Sequence, residues 1–235
     1  MSSDTLQTRR SFIAAGAVGI GLLLAGPARL ALAAGKPEAT GEEVGPVEDL
    51  MREHGVLRRV LLIYEEAARH LDTGKDLPPG VVGDAAGIIR RFVEDYHEKL
   101  EENELFPRFE KAGKLVDLVK VLFAQHQAGR RLTDVVLKSS APAALADAES
   151  RRRLAEALRQ FLRMYRPHAA REDTVLFPAF RSLVSPKEYD ALGEKFEDLE
   201  HDLFGKEGYE KMVSQVAELE KKLGIYDLSQ FTAKL

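Results

Sequence analysis

From Val47 onward the chain repeats one arrangement, an apolar side chain every three or four residues with charged side chains between. The first such stripe runs through positions 47, 50, 51, 54, 57, 61, 64, 68 and 71, which predicts an amphipathic helix of about seven turns. Asp72-Thr73-Gly74 and Pro78-Pro79-Gly80 end it and form a loop. A second stripe, through 85, 89, 93, 97, 100, 101 and 104, predicts a helix from about Val81 to Ala112, and Gly113 marks the tightest turn in the chain. The third helix, about 114–138, carries its stripe at 115, 119, 122, 126, 129, 133 and 136. Ser139 to Ala146, with Pro142, leads on to a fourth helix, about 147–182, whose stripe is 154, 158, 161, 165, 168, 172, 175 and 179. A kink is expected at Pro167 and Pro178, since proline lacks an amide hydrogen and crowds the preceding turn. Ser185-Pro186-Lys187-Glu188 reads as a capping box that opens a fifth helix to about Phe204, where Gly205 stops it. A last amphipathic helix spans about 207–223, and the tail from Ile225 to Leu235 is irregular. There is no β pattern of useful length, and short connections favour antiparallel neighbours. The expected fold is all-α, an up-down-up-down four-helix bundle over 47–182 with a C-terminal helical extension over 183–235.

Six stripe positions break the apolar rule: His54, His97, Glu101, His126, His168 and Glu172. They belong to a repeat. The segments from His97 to Phe109 and from His168 to Phe180 share the pattern H-x3-E-x4-F-P-x-F. Upstream of each lies a His followed by an Arg pair, His54 with Arg58-Arg59 and His126 with Arg130-Arg131. The interval is 43 residues from His54 to His97 and 42 from His126 to His168. Each His–Glu pair is spaced i, i+4 and so stands on a single helix face. The turn near Gly113 lies twelve residues after Glu101 and thirteen before His126, which sets both at one height along the bundle. Leaving such polar groups unsatisfied in a core costs roughly 1–3 kcal/mol each, and more for a charge. A pair of metal ions offsets that cost, with one carboxylate from each half as the natural bridge. The competing reading is a buried polar network that satisfies itself without metal.

Composition narrows the metal. The absence of Cys removes disulfides, thiolate ligands and iron–sulfur clusters, so the ligands must be nitrogen and oxygen, a set that suits iron, manganese or zinc. Acidic and basic residues are interspersed and balance to −4, leaving no basic patch for nucleic acid. The N-terminus reads as an address. Thr8-Arg9-Arg10-Ser11-Phe12-Ile13, an uncharged stretch to Ala28 and the small residues of Ala31-Leu32-Ala33 resemble a twin-arginine export signal over 1–33. That resemblance implies cleavage near Ala33 and Ala34, a periplasmic mature chain without a stable membrane span, and a flexible Gly- and Pro-rich lead-in over 34–46. The twin-arginine route carries proteins already folded around cofactors.

The run of His54, His97-x3-Glu101, His126 and His168-x3-Glu172 resembles the hemerythrin HHE cation-binding domain over roughly 47–182. That similarity implies a four-helix bundle holding two non-haem iron ions bridged by oxygen and carboxylates, with manganese or zinc as other occupants. It implies dioxygen, or another small diatomic or peroxide, as partner. The protein would then bind or sense oxygen or buffer iron, or act as an enzyme on peroxide or nitric oxide. A structural bundle with a zinc-filled or empty His cluster is the third reading. Oxygen-carrying hemerythrins use H-x3-H on the third helix, where this chain has Arg130 after His126 and Leu122 before it. Their fourth helix carries H-x4-D, where this chain has His168-x3-Glu172. One His fewer leaves an extra open coordination position, which points away from simple carriage and toward redox chemistry or sensing.

Other polar residues are weighed against blander roles. Glu98 falls off the stripe, and Glu104 returns to the inner face as an extra or supporting ligand or a boundary charge. Glu94-x2-His97 matches a ferritin-type motif, but its counterpart in the second half is Tyr165, which excludes that reading. Tyr64 and Tyr165 face inward, either as packing or as hydrogen-bond donors to a bound oxygen species. Phe106, Phe109, Phe177 and Phe180 are expected to pack the bundle end. The Arg pairs are expected to reach solvent or carboxylates, His70 to face away toward its helix end, and His201 to belong to the extension.

Overall fold

The protein is described from a computed structural model that covers residues 44–234, so the expected export signal and most of the lead-in fall outside the described residues. Helix α1 is Pro46–Thr73, with Pro46 in its first turn and Gly74 closing it in the left-handed region. Helix α2 spans 81–112, α3 is Val116–Ser139, and a single turn at Pro142–Leu145 forms α4. Helix α5 spans 148–180, opened by the Asp147 carboxylate accepting from the Ser150 amide. Helices α6, Pro186–Phe204, and α7, Gly208–Leu223, complete the chain before a 3-10 turn at Leu228–Phe231. Among the described residues there is no strand, and no helix is long and apolar enough to cross a membrane. The fold is all-α, as the periodicity implies.

α1 packs along α5, α5 along α3, and α3 along α2, which closes the four-helix core. The stripes meet inside. Leu50, Leu57, Tyr64, Phe92, Leu158, Phe161 and Leu176 are all buried, and the Tyr64 ring stands edge-on to Phe161 at 5.3 Å. The turn from α2 to α3 needs two left-handed residues, Gly113 at φ 65° and Leu115 at φ 51°, and the exposed Leu115 is the one non-glycine residue with positive φ among those described.

The proline expectation needs correction. Pro167 lies inside unbroken α-helix. It is exposed, so the carbonyl it leaves without a donor faces water. The irregularity falls before Pro178, as expected there, and, matching it in the first half, before Pro107, where none was expected. Glu101–Leu105 and Glu172–Leu176 are π-helical turns, each followed by Phe-Pro. A wider turn spares the proline ring its clash with the preceding carbonyl. Each repeated Glu therefore stands at the first residue of a π turn. A longer π segment, Ile89–His97, precedes the first.

The extension folds back on the bundle. α7 packs against α1 and α2, and α6 against α1. The Phe204 ring lies against Phe92 and Tyr96 at 5.6 and 5.5 Å, and the Tyr96 hydroxyl donates to the Phe196 carbonyl at 3.3 Å. Arg59 grips Glu220 with two guanidinium nitrogens at 2.9 and 2.5 Å. Half of the predicted capping box forms: Ser185 Oγ accepts from the Glu188 amide at 3.3 Å, while the Glu188 side chain turns to Arg108 at 3.0 Å.

Candidate metal centre

The structure brings the six stripe residues together in one buried layer. His54, His97, Glu101, His126, His168 and Glu172 are each at most 4% exposed, although they come from four helices. His54 and His97 form one pair, with Nε2 atoms 3.1 Å apart and ring centroids at 4.7 Å. His126 and His168 form the other, with centroids at 5.0 Å. The two carboxylates lie between the pairs. Glu101 directs Oε1 to His97 Nε2 at 3.8 Å and Oε2 to His126 Nε2 at 3.3 Å. Glu172 directs Oε2 to His54 Nε2 at 3.4 Å and Oε1 to His168 Nε2 at 3.1 Å. Each carboxylate thus touches one imidazole of each pair, which is the geometry of a bridge.

The outward nitrogens explain how the rings are held. His54 Nδ1 donates to Asp173 Oδ1 at 2.7 Å, and His97 Nδ1 to Glu53 Oε2 at 2.7 Å. His126 Nδ1 donates to Glu102 Oε1 at 3.1 Å, and His168 Nδ1 to Gln125 Oε1 at 2.9 Å. Asp173, Glu53 and Glu102 accept through carboxylates and Gln125 through its amide oxygen, so Nδ1 of each ring carries a proton and Nε2 is the nitrogen left to face the interior. Partners of this kind fix the tautomer and orientation of metal-ligating imidazoles. They follow the repeat: Glu53 and Gln125 each precede a ligand-type His, and Glu102 and Asp173 each follow a repeated Glu. The sequence reading missed all four. The signal was adjacency, an acceptor just before His54 and His126 and just after Glu101 and Glu172.

The rings are also clamped by the phenylalanines. Phe177 stacks on His54 and Phe106 on His126, both at 5.5 Å. Each comes from the opposite half to the His it covers. Phe109 and Phe180 meet one turn further along, at 6.0 Å.

Electrostatically the layer is unsettled without a cation. Burial and the charge of Glu172 push Glu101 up to about 7. Glu172 is itself held below the ordinary carboxylate range, because His168 and His54 outweigh its burial. The carboxylates of Glu98, Glu101 and Glu102 outweigh burial at His126 and raise it to about 10, whereas burial and His54 drive His97 well below its ordinary value. Both oxygens of Glu101, both of Glu172 and His126 Nε2 are buried without a hydrogen-bond partner. Five orphaned atoms converging on one small volume fit a pair of cations better than a self-satisfied polar network, in which each would cost about 1–3 kcal/mol. Two overlapping groups can hold them: His54, His97 and Glu101 in one, and Glu101, His126, His168 and Glu172 in the other.

A second polar layer lies beside the first. Arg130 joins Glu102 and Glu98 at 2.8 Å each, and Tyr165 donates to Glu98 at 2.6 Å. Glu94, fully buried and pushed up to about 7 by that burial, accepts from the Thr133 hydroxyl and faces Arg90 at 2.9 Å. Arg90 continues to the exposed Asp134.

The remaining expectations resolve individually. Glu98 is buried but spoken for by Tyr165 and Arg130. Glu104 does not face the layer; it pairs with Lys195 at 2.5 Å and Arg108 at 3.1 Å, because the π turn at 101–105 rotates it off the inner stripe. The Tyr64 hydroxyl is buried without a partner. Arg58 pairs with Asp173 and so steadies His54 through it. His70 contacts the Asp76 carbonyl and Glu66, both at 3.0 Å, near its helix end. His201 sits in α6, its carbonyl accepting from Gly205.

Comparison with known proteins agrees with this geometry. Residues 45–140 and 117–224 match the family model of the hemerythrin HHE cation binding domain. Uncharacterized proteins of Mycobacterium bovis and of two Mycobacterium tuberculosis strains are each 52% identical over 201 residues, covering 84% of this chain and 79% of the relative. No solved structure matches. The chain belongs to the hemerythrin HHE cation-binding family.

Proposed function

We propose that the protein is a non-haem di-iron protein of the hemerythrin type, binding or sensing dioxygen or buffering iron in the cell envelope. One observation carries this reading. Glu101 and Glu172 each reach one imidazole of both pairs, while all four Nδ1 atoms are already engaged. His54 and His97 would hold one ion, His126 and His168 the other, with the two carboxylates shared. Two iron ions so held supply redox chemistry and open coordination positions for a small ligand. Six protein ligands for two ions leave several positions free, and the phenylalanines that cover His54 and His126 keep bulk water from them. Manganese and zinc share the ligand preference, so metal identity is the first test. Untagged protein should carry two iron ions per chain, with a visible absorption that changes reversibly as dioxygen is added and removed. Fewer than one metal per chain, or zinc alone in stoichiometric amount, overturns the reading.

A second reading, turnover of peroxide or nitric oxide, is favoured by the polar chain that leads from His126 to Glu102 and, through Arg130, to Glu98 and Tyr165. Reduction of peroxide or nitric oxide consumes protons, and the Glu102 carboxylate on the His126 ring is placed to hand them on, with Arg130 fixing it in position. Turnover that disappears in Glu172→Ala with the fold retained would establish it. Export rests on the Thr8 to Ile13 pattern. Replacing Arg9 and Arg10 by Lys should retain the precursor in the cytoplasm, and unchanged export would remove the envelope from the proposal.

A further inference from the structure

The four groups that hold the imidazoles obey the repeat in position but not in charge. Asp173 and Glu102 are counterparts, each reaching across from one half to a His of the other, and each also pairs with a cation. Arg58 meets Asp173, and Arg130 and Lys99 meet Glu102 at 2.8 and 2.5 Å. Glu53 and Gln125 are the other counterparts, each holding the second His of its own half. Here the symmetry fails. His97 donates to a carboxylate at 2.7 Å, and His168 to a neutral amide at 2.9 Å. The surroundings differ in the same sense. Glu53 is 2% exposed and gathers with the carboxylates of Asp49 and Glu200, while Gln125 is half-buried on a helix whose neighbouring Phe123 is 46% exposed.

An imidazole whose outer N–H donates to a carboxylate is a stronger base at its other nitrogen than one that donates to an amide. Exchanging such a partner moves metal affinity by about 10–100-fold. We infer that the two metal positions are unequal: the ion between His54 and His97 is bound first and held more tightly, and the ion between His126 and His168 is the exchangeable one, because Glu53 backs one pair where Gln125 backs the other. The inference rests on the two-metal reading and adds an order of filling to it.

Anaerobic titration of the metal-free full chain with Co²⁺, followed by its visible absorption, reads this without any activity. Wild type should bind two ions in two steps separated by about 10–100-fold in Kd. Gln125→Glu, at a half-buried position where the fold is not at stake, should tighten the weaker step by a similar factor and leave the stronger one in place. Glu53→Gln should weaken the stronger step and close the gap from the other side, with the circular dichroism of the metal-free chain unchanged. Two ions bound with equal affinity in wild type overturn the inference while sparing the two-metal centre, as do substitutions that leave both steps unmoved. A chain that takes up fewer than two ions overturns the two-metal reading itself, and this inference with it.

Discussion

The hydroxyl of Tyr165 fills the space that a β-carbon on Gly129 would need. A glycine inside a helix costs about 0.5–1 kcal/mol relative to alanine, so its place in the middle of α3 calls for a compensating contact. The close approach supplies it, letting Tyr165 reach Glu98 at 2.6 Å. Gly129→Ala should recover the helix propensity and still lose about 1–3 kcal/mol net, since the phenol must shift and leave a buried carboxylate short of a donor. Gly55→Ala is the control. Nothing lies within 4 Å of its added carbon, so it should stabilise α1 by about 1 kcal/mol. Chemical denaturation of both variants measures the contrast, and a Gly129→Ala protein as stable as wild type would mean that Tyr165 is not held there.

On the two-metal reading, Glu101 would serve the metals at the expense of the fold. Buried beside Glu172 and pushed up to about 7, it is a charge that the metal-free chain holds only with difficulty at neutral pH. Glu101→Gln keeps the shape and removes the charge. It should raise the melting temperature of the metal-free protein at pH 8 and reduce bound metal from two ions to one or none. Calorimetry and elemental analysis on the same preparation read both effects. Full metal content in this variant would end the bridging role of Glu101.

The helices and the six inner polar residues were legible in the sequence for a common reason. Periodicity reports which face a residue occupies, and a His or Glu on an apolar face stands out. His54, His97, Glu101, His126, His168 and Glu172 were found that way. The partners of the imidazoles were not, because Glu53, Glu102, Gln125 and Asp173 sit one residue off the stripe, about 100° around the helix, where a charge looks like ordinary surface. The π turns were hidden for another reason. A one-residue widening shifts the stripe by less than the spread of an apolar face, so Glu104 still looked inward when the π turn had carried it to Lys195. Only the Phe-Pro pair recurring after each Glu marked them; the proline expectation included Pro178 but passed over Pro107, and it also took in Pro167, which water on its exposed side accommodates.

The metal-free chain should lose stability as pH rises. Glu94 and Glu101 have folded values of about 7 against an ordinary 4.5, and His126 about 10 against 6.5. Each raised group binds its proton more tightly in the folded state. Its contribution is therefore complete below the unfolded value and is lost as pH climbs through the folded one. The window runs from about pH 4.5 to 7 for the two carboxylates and on toward 10 for His126. For Glu94 alone the loss is on the order of 3 kcal/mol. Below pH 4.5 the sign reverses, since Glu102, brought down to about 2 by His126, Lys99 and Arg130 against its burial, loses its contribution on acidification. Metal displaces the protons of Glu101 and His126, so the loaded protein should resist the alkaline decline. Melting curves of both forms from pH 5 to 9 test this, and parallel curves would contradict it.

The C-terminal helices should prove part of the bundle's support and no part of its metal set. All six inner polar residues lie in α1, α2, α3 and α5, so a chain ending at Leu183 keeps every one of them. It loses the Phe204 ring against Phe92 and Tyr96, the Phe196 carbonyl that receives the Tyr96 hydroxyl, and the two-pronged grip of Glu220 on Arg59. Uncovering two aromatic side chains costs about 1.5–3 kcal/mol each and leaves an apolar strip along α2. The truncated chain should therefore melt lower and self-associate on sizing columns, yet still bind metal at low concentration. Phe196→Ala in the full chain, where the side chain is 1% exposed, separates packing from length and should cost about 3–5 kcal/mol with metal content intact. A truncated chain that stays monomeric with an unchanged melting temperature would show that α6 and α7 form an independent module.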